Sequence, residues 1–440
     1  MFRVEKHLTK GLWAAGSQAL QLSYGIVAIL LIVRTLPSEE FGSYILSQGI
    51  VRIIVMIGGA LVYRHMVREL SVEDWDPKIP INAFALSFLF NLAAIVPFIL
   101  FSKLLSELLN TPLLATLLPI AIPLQLAGEF LKNFAQRLII SSRNTKRLFI
   151  LNSVYFIILS VGLVYLNSGQ EGISAVQVIY LMAIAGFSSA AVGGLLNREI
   201  LKRSKAVLSF SHQKRALNYG KYSVGSATAN TVANNIDSYI IAYLMGPIQV
   251  AWYNSAKVVI RFYQIISQMM DITVFPYGSK LVQEGRMEDL KALYEKILCF
   301  LYLILLPMNI VAILFAKPMF ELIYGGRYEG AYLILQLLIL GATISPTVSL
   351  NVFMFFSLDK PRTVLFGRII NVIVVAVVGF LLTSKMRPEG MALAFILGML
   401  IQGVYLSIRI KKILPITISS VAGRVKDIYP FIKGLSNKRL

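Results

Sequence analysis

Apolar residues along this chain occur in long blocks that show no one-sided helical or alternating strand pattern. Twelve such blocks stand out, at 11–33, 41–62, 79–101, 113–131, 148–166, 174–196, 222–243, 252–274, 294–316, 331–356, 363–382 and 390–408. Each has about the twenty residues that a helix needs to cross the hydrocarbon core. The pattern predicts an all-α polytopic membrane protein with about twelve transmembrane helices and no separate soluble domain. The tenth block is long enough to tilt, or to unwind around Ser345-Pro346. The first has a basic flank (Arg3, Lys6, Lys10) but exceeds the core of a secretory signal, and no small-residue cleavage site follows it, so it reads as a span.

Composition sharpens this picture. Hydrophobic residues are 57% of the chain and charged ones 15%, against about 25% charged in soluble domains. The 42 Lys and Arg are unevenly placed. With the N-terminus inside, cytoplasmic segments hold 32 of them (Lys296, at the inner edge of span nine, included) and outside loops hold 6. Basic segments resist translocation, so this asymmetry supports an even span count with both termini cytoplasmic. The net charge of +20 then reflects loops beside anionic headgroups, with no need for nucleic acid. Two basic, apolar-rich stretches, Asn197–Lys221 and the tail after Ile413, are expected to lie along the inner surface as interfacial helices. The lone Cys299 excludes an internal disulfide, and His7, His65 and His212 are too scattered for a metal site legible in sequence.

A shift of 209 residues lays Gly11–Arg52 over Gly220–Arg261 without a gap. It matches Gly16-Ser17 with Gly225-Ser226, Tyr44 with Tyr253, and Arg52 with Arg261. The shift carries spans one and two onto seven and eight. Six spans is an even number, so both halves enter the membrane the same way, as parallel repeats do.

Charge inside the spans is the main chemical signal. Arg52 lies about 16 Å and Arg261 about 14 Å along their helices, and Lys257 is one turn before Arg261. Such residues cost at least about 2.5–3.5 kcal/mol at mid-membrane and usually face a cavity or a partner. Three cations on corresponding helices suggest a positively charged cavity, and guanidinium groups favour phosphate or diphosphate. The competing account is internal pairing of Lys257 or Arg261 with Asp237; Asp271 lies further along span eight, and span two offers Arg52 no acid. Asn230, Asn234, Asn235 and Asp237 make span seven polar, which serves interhelical bonding as well as a wet wall. Glu129 and Lys132 are spaced for a helix-surface ion pair rather than for proton coupling. Arg368 is near enough to the inner end of its span to snorkel. No catalytic grouping or phosphate-binding glycine loop is evident, and no outside loop is large enough for a membrane glycan polymerase or ligase.

Several segments resemble the Wzx-type polysaccharide flippases of the multidrug/oligosaccharidyl-lipid/polysaccharide exporter superfamily. Leu36-Pro-Ser-Glu-Glu-Phe-Gly-Ser-Tyr-Ile-Leu ahead of Arg52 is similar to the first-repeat pattern. Asn235-Ile-Asp-Ser-Tyr-Ile-Ile-Ala-Tyr-Leu-Met-Gly, followed by Val250-Ala-Trp-Tyr-Asn-Ser-Ala, is similar to the second. Ile323-Tyr-Gly-Gly-Arg-Tyr-Glu-Gly-Ala and Asp359-Lys-Pro-Arg fit the later loops, and Ala251 departs from a common glycine.

The resemblance implies two six-helix lobes, 1–205 and 206–412, around a central cavity, with 413–440 a basic cytoplasmic tail. It implies a non-enzymatic transporter of the bacterial cytoplasmic membrane that flips an undecaprenyl-diphosphate-linked oligosaccharide outward. Arg52, Arg261 and Lys257 would hold the diphosphate, with Asn235 and Asp237 beside them and Arg368, Asn234 and Asp271 as accessories. It implies no cofactor, with proton or sodium coupling unassigned, and membrane lipid, a polymerase and glycosyltransferases as partners. A lipid II flippase and a multidrug antiporter of the same superfamily are the alternatives; the latter calls for acids inside spans one to three, which have none.

Overall fold

The computed structural model describes residues 16, 28–70, 74–142, 144–168, 172–328 and 330–427. The described residues are helical almost throughout and contain no strand, as a chain in lipid requires when every backbone polar group must be satisfied within its own segment. In order the helices are α1 (28–35), α2 (Ser38–Glu69), α3 (Ile79–Leu100), α4 (Ser102–Leu108), α5 (Leu114–Ser141), α6 (Thr145–Ser168), α7 (Ala175–Leu196) and α8 (Arg198–Arg203). They continue with α9 (Phe210–Met245), α10 (Pro247–Gln283), α11 (Met287–Leu314), α12 (Ala316–Tyr324), α13 (Ala331–Ala342), α14 (Ser345–Ser357), α15 (Pro361–Lys411) and α16 (Ile418–Gly423).

Eight segments are long and apolar enough to cross a membrane: α2, α3, α5, α6, α7, α11, α13 with α14, and α15. The last holds two spans. Its backbone breaks at Met386 and Arg387, ahead of Pro388, and the limbs fold back on each other, with Gly379 against Met391 and Gly398 against Val375. The tenth span divides into α13 and α14 around Thr343 and Ile344, at the expected Ser345-Pro346 position. Most of the first span lies outside the described residues. The other two spans are α9 and α10, whose Asn230, Asn234, Asn235 and Asp237, or Lys257, Arg261 and Asp271, lower their apolarity. With those helices the described residues hold eleven spans, and the first block would make the expected twelve.

Contacts divide the chain into two units, 1–251 and 252–440. Unit one therefore includes α9. Gly42 and Gly49, two turns apart on α2, let α9 and the first residue of α10 come close: a Cβ at Gly42 would stand 1.9 Å from the Pro247 carbonyl oxygen, and one at Gly49 would stand 2.5 Å from the Tyr239 hydroxyl. Tyr239 donates to the Leu46 carbonyl at 3.1 Å. Rising numbers on α2 meet falling numbers on α9, so the two helices are antiparallel. Toward its C-terminal end α2 passes through a π-helical turn, Gly59–Tyr63, and Val62, Tyr63 and Met66 pack with Phe134 and Leu138 of α5.

The stretch Asn197–Lys221 is not one interfacial helix. Its second half is the inner end of α9, and residues 204–209 are pinned to the protein. Buried Asn82 donates to the Val207 carbonyl at 2.9 Å and accepts from the Ser209 amide at 2.7 Å, while His212 contacts Asp76 at 3.0 Å. Asp76 is held below the ordinary carboxylate range chiefly by the Lys78 backbone amide, with help from His212.

Unit two is organised by a ladder of side-chain bonds between α11 and the divided tenth span. Asn309 donates to Thr343 at 3.0 Å, Tyr302 pairs with Thr347 at 2.7 Å, and Tyr294 donates to Asn351 at 2.9 Å. Tyr263 of α10 adds a hydrogen bond to Asn309. Thr343, Thr347 and Asn351 follow one helical face, so the ladder fixes the antiparallel register across the Pro346 break. Bonds of this kind average about 0.6 kcal/mol in membranes, so the ladder specifies alignment more than it adds stability.

The tail after Ile413 docks on protein. Ile416 and Val421 join the apolar cluster of Leu290 and Tyr294. Arg424 donates through Nε and Nη2 to one oxygen of Glu295, at 2.9 and 2.7 Å. Glu295 is 2% exposed, and Lys296 meets Asp427 at 3.0 Å, which holds the Asp427 carboxyl below its usual range.

Two outcomes are expected. Gly42→Val should abolish correctly folded protein in detergent chromatography, since backbone oxygen cannot yield, whereas Gly49→Ala should fold, at a cost of about 1–3 kcal/mol that Tyr239→Phe partly relieves. Arg424→Ala should expose the tail to limited proteolysis, and Glu295→Gln should restore part of the lost thermal stability by removing the stranded charge. At neutral pH the Asp427 contact is intact. Protease sensitivity of the wild-type tail should rise only as pH falls below the ordinary carboxylate range, because a depressed pKa gives stability above it that is lost on protonation.

Candidate functional site

The sequence-predicted residues fall on α2, α9, α10 and α15. From Phe41 to Val51 every residue of α2 is buried, on all sides of the helix. Arg52 is the first exposed position after that stretch, and Met56, one turn on, is the next. The helix thus runs enclosed in protein through its N-terminal half and opens on the Arg52–Met56 face beyond it. Arg52 makes no ion pair among the described residues. Its charge reaches the Tyr239 phenol, and the antiparallel register that sets Gly49 against Tyr239 puts Arg52 level with Asn235, one turn earlier on α9. Below Arg52 on the α5 side, Gln48 and Gln125 exchange two amide hydrogen bonds of 2.9 Å each, both side chains buried.

On α9 the polar residues divide by what they touch. Asn235 donates to the Thr231 carbonyl at 2.7 Å, spending that bond within its own helix. Asp237 is 4% exposed and accepts from the Ser238 amide at 2.8 Å. Asn234 is exposed. Arg52, Tyr239 and Asn235 therefore form one neighbourhood, with Asp237 and Asn234 on the same helix.

In unit two, Lys257 is half-buried with its ammonium 5.7 Å from the ring of Tyr253, itself fully buried. Arg368 is half-buried on the first limb of α15. Arg261 and Asp271 belong to α10, but their side chains lie outside the described residues. The Glu129–Lys132 pair forms as expected, at 2.7 Å, with Lys132 also 3.7 Å from the centre of the Tyr155 ring.

Sequence reasoning missed Tyr239 and the Gln48–Gln125 pair. Both glutamines stand in otherwise apolar blocks, which was the available signal; Tyr239 had none beyond its place one turn after Asn235.

A likeness to known proteins agrees with this architecture. Residues 31–333 match a family described as polysaccharide biosynthesis protein. A putative O-antigen transporter of Shigella flexneri is 24% identical over 370 residues, covering 76% of this chain and 81% of that protein. The succinoglycan biosynthesis transport protein ExoT of Rhizobium meliloti (strain 1021) is 23% identical over 352 residues; the match covers 76% of this chain and spans 65% of the length of ExoT. Among solved structures, the lipid II flippase MurJ in an inward closed conformation superposes with a TM-score of 0.74 at 15% identity, over 97% of this chain and 92% of that one. An inward-facing multidrug resistance MATE family transporter of the MOP superfamily gives 0.73 at 14% identity, over 91% and 98%. At such identities the structures testify to the fold alone. The family match covers well over half of the sequence, and the chain belongs to the polysaccharide biosynthesis protein family.

Proposed function

We propose that this membrane transporter flips a polyprenyl-diphosphate-linked oligosaccharide from the inner to the outer leaflet of a bacterial cytoplasmic membrane, for surface polysaccharide assembly. The observation that carries the cargo assignment is Arg52: an exposed guanidinium without an acidic partner among the described residues, at the point where a fully enclosed helix opens on one face. A permanent cation there needs an anion, and diphosphate supplies one with several acceptor oxygens. Arg261 at the matching repeat position and Lys257 one turn away would complete the grip, with Asn235 and Asp237 shaping the polar wall and Asn234, Asp271 and Arg368 as accessories. The glycan would occupy a watery cavity while the lipid stays in the bilayer. Rocking of lobes 1–205 and 206–412 would alternate access.

The O-antigen and succinoglycan transport relatives favour polysaccharide units over lipid II as cargo. The chain itself is not an enzyme in this reading; glycosyltransferases load the carrier and a polymerase receives it. Both termini are cytoplasmic, and coupling to protons or sodium is open to assignment.

In a deletion strain, Arg52→Ala and Arg261→Ala should each lower surface glycan more than tenfold at normal protein level, from loss of about 2 kcal/mol of charged hydrogen bonding. Lipid-linked glycan should accumulate on the cytoplasmic leaflet, and Arg52→Lys should recover part of the activity. Unchanged surface glycan in both alanine variants would sink the assignment. The orientation has its own check. With Cys299→Ser as background, single cysteines at Lys103 or Arg327 should react with impermeant maleimide in whole cells, and cysteines at Lys202 or Lys291 should not.

A further inference from the structure

We propose that the hollow beside α12 and the glycine loop after it is a subsite for one hexopyranose ring of the exported glycan, on the outer face. The inference rests on the transport reading and orientation above. Its volume is about 260 Å³, just under the ~300–1,000 Å³ of drug-sized pockets, so it suits one ring rather than a chain.

Lys317, Phe320 and Glu321 line it from one face of α12, and Tyr332 of α13 contributes another wall. The aromatic floor is fixed. Phe320 and Tyr324 rings lie 4.7 Å apart, and Tyr328 meets Tyr324 edge-on at 5.5 Å. The Tyr324 hydroxyl donates to the Ser255 carbonyl at 2.9 Å, and both tyrosines are 2% exposed. Between α12 and α13 the backbone turns through left-handed conformations at Gly325, Gly326 and Gly330, with φ of 59°, 80° and 92°. A Cβ at Gly326 would meet nothing within 4 Å, so conformation rather than crowding demands glycine there, and bare peptide is left at the rim.

The charges select the ligand class. Lys317 and Glu321 approach to 4.0 Å with side chains 65% and 59% exposed. An exposed pair of this kind is worth about 0–1 kcal/mol and exchanges readily for ligand hydroxyls. Among the described lining residues one group is positive and one negative, which disfavours a lone anion and a lone cation alike. A neutral pyranose meets both, accepting from Lys317, donating to Glu321, and laying its C–H face on Tyr332, the half-exposed ring of the lining. A phosphoethanolamine headgroup would satisfy the charges but has no ring face to lay on Tyr332. A weak catch here engages the sugars as they emerge and opposes their return.

The test uses the full chain in phosphatidylglycerol nanodiscs, carrying Trp13→Phe and Trp75→Phe so that Trp252 reports. The Trp252 ring lies 3.3 Å from where a Cβ of Gly330 would stand. The probe is the repeat-unit oligosaccharide released from its polyprenyl carrier in the producing cells by mild acid. Saturable change in fluorescence is expected, weakened at least about tenfold by Tyr332→Ala and by Lys317→Met with Glu321→Gln, as loss of one or two hydrogen bonds to a charged group implies. Elution profile and melting temperature should be unchanged. A flat titration, equal affinity in the variants, or a signal produced by phosphatidylethanolamine and not displaced by sugar overturns the subsite. Restoration of surface glycan by the wild-type chain is scored separately. If it succeeds while the oligosaccharide fails to bind, the subsite alone falls; if it fails, the transport reading falls.

Discussion

A guanidinium cannot be neutralised at any physiological pH, and in hydrocarbon it must find water, an anion or an acid. Arg52 stands twelve residues from the nearest acid of its helix, Glu40, and makes no ion pair among the described residues. The construction of unit one follows from that constraint. Gly42 and Gly49 bring α9 against α2, so that the polar helix of the unit passes beside the arginine. Tyr239 spends its hydroxyl on the Leu46 carbonyl and still presents its phenol to the charge. The Gln48–Gln125 pair satisfies its own donors and acceptors one turn further out, so it competes weakly for the arginine.

Polar residues inside the spans are numerous, and satisfaction separates them. Tyr294, Tyr302, Asn309, Thr343, Thr347 and Asn351 bond to one another across helices. They hold a span that Pro346 has broken, where freed backbone groups would otherwise allow several alignments. Glu129 and Lys132 are likewise spent on each other and on Tyr155 and Asn133. Residues so engaged are costly to recruit for a passing ligand, because each lost bond strands a donor or acceptor in low dielectric. Arg52 bears no such commitment among the described residues, which is why its exposure carries more weight than the count of polar side chains.

Much of this architecture was legible in the sequence because the bilayer imposes length and charge rules on every span. Block length gave the helices, and the Lys and Arg distribution gave an even number of crossings. The break at Ser345-Pro346 and the Glu129–Lys132 pair could be read from proline chemistry and i, i+3 spacing. What stayed hidden depends on long-range packing. Asn197–Lys221 has the composition of a surface helix, yet Asn82, more than a hundred residues earlier, captures the backbone of Val207 and Ser209 and forces an extended linker. The tail after Ile413 has the same composition, and a single buried carboxylate, Glu295, draws it onto α11. The placing of Arg52 beside α9 required the register of α2 on that helix, which two glycines set and no local pattern announces.

The same reasoning bears on Asp237 and Asn235, which sequence alone left between cargo contact and structural bonding. Asp237 is almost fully buried and accepts from the Ser238 amide, and Asn235 donates to its own helix at Thr231. A carboxylate placed to grip a diphosphate directly would repel it. Its value beside a cationic site lies in limiting the net positive field, so that an anion is held and can still leave. Transport needs that balance. A cavity with three cations and no nearby acid would bind its cargo in one conformation too tightly for rocking of the lobes to release it, since a ligand shifts a two-state equilibrium only by its difference in affinity for the states. In the proposed site Asp237 would therefore set the strength of the arginine grip from the polar wall rather than touch the diphosphate. In that role it belongs with the buried network of α9 rather than with the exposed face that Arg52 opens.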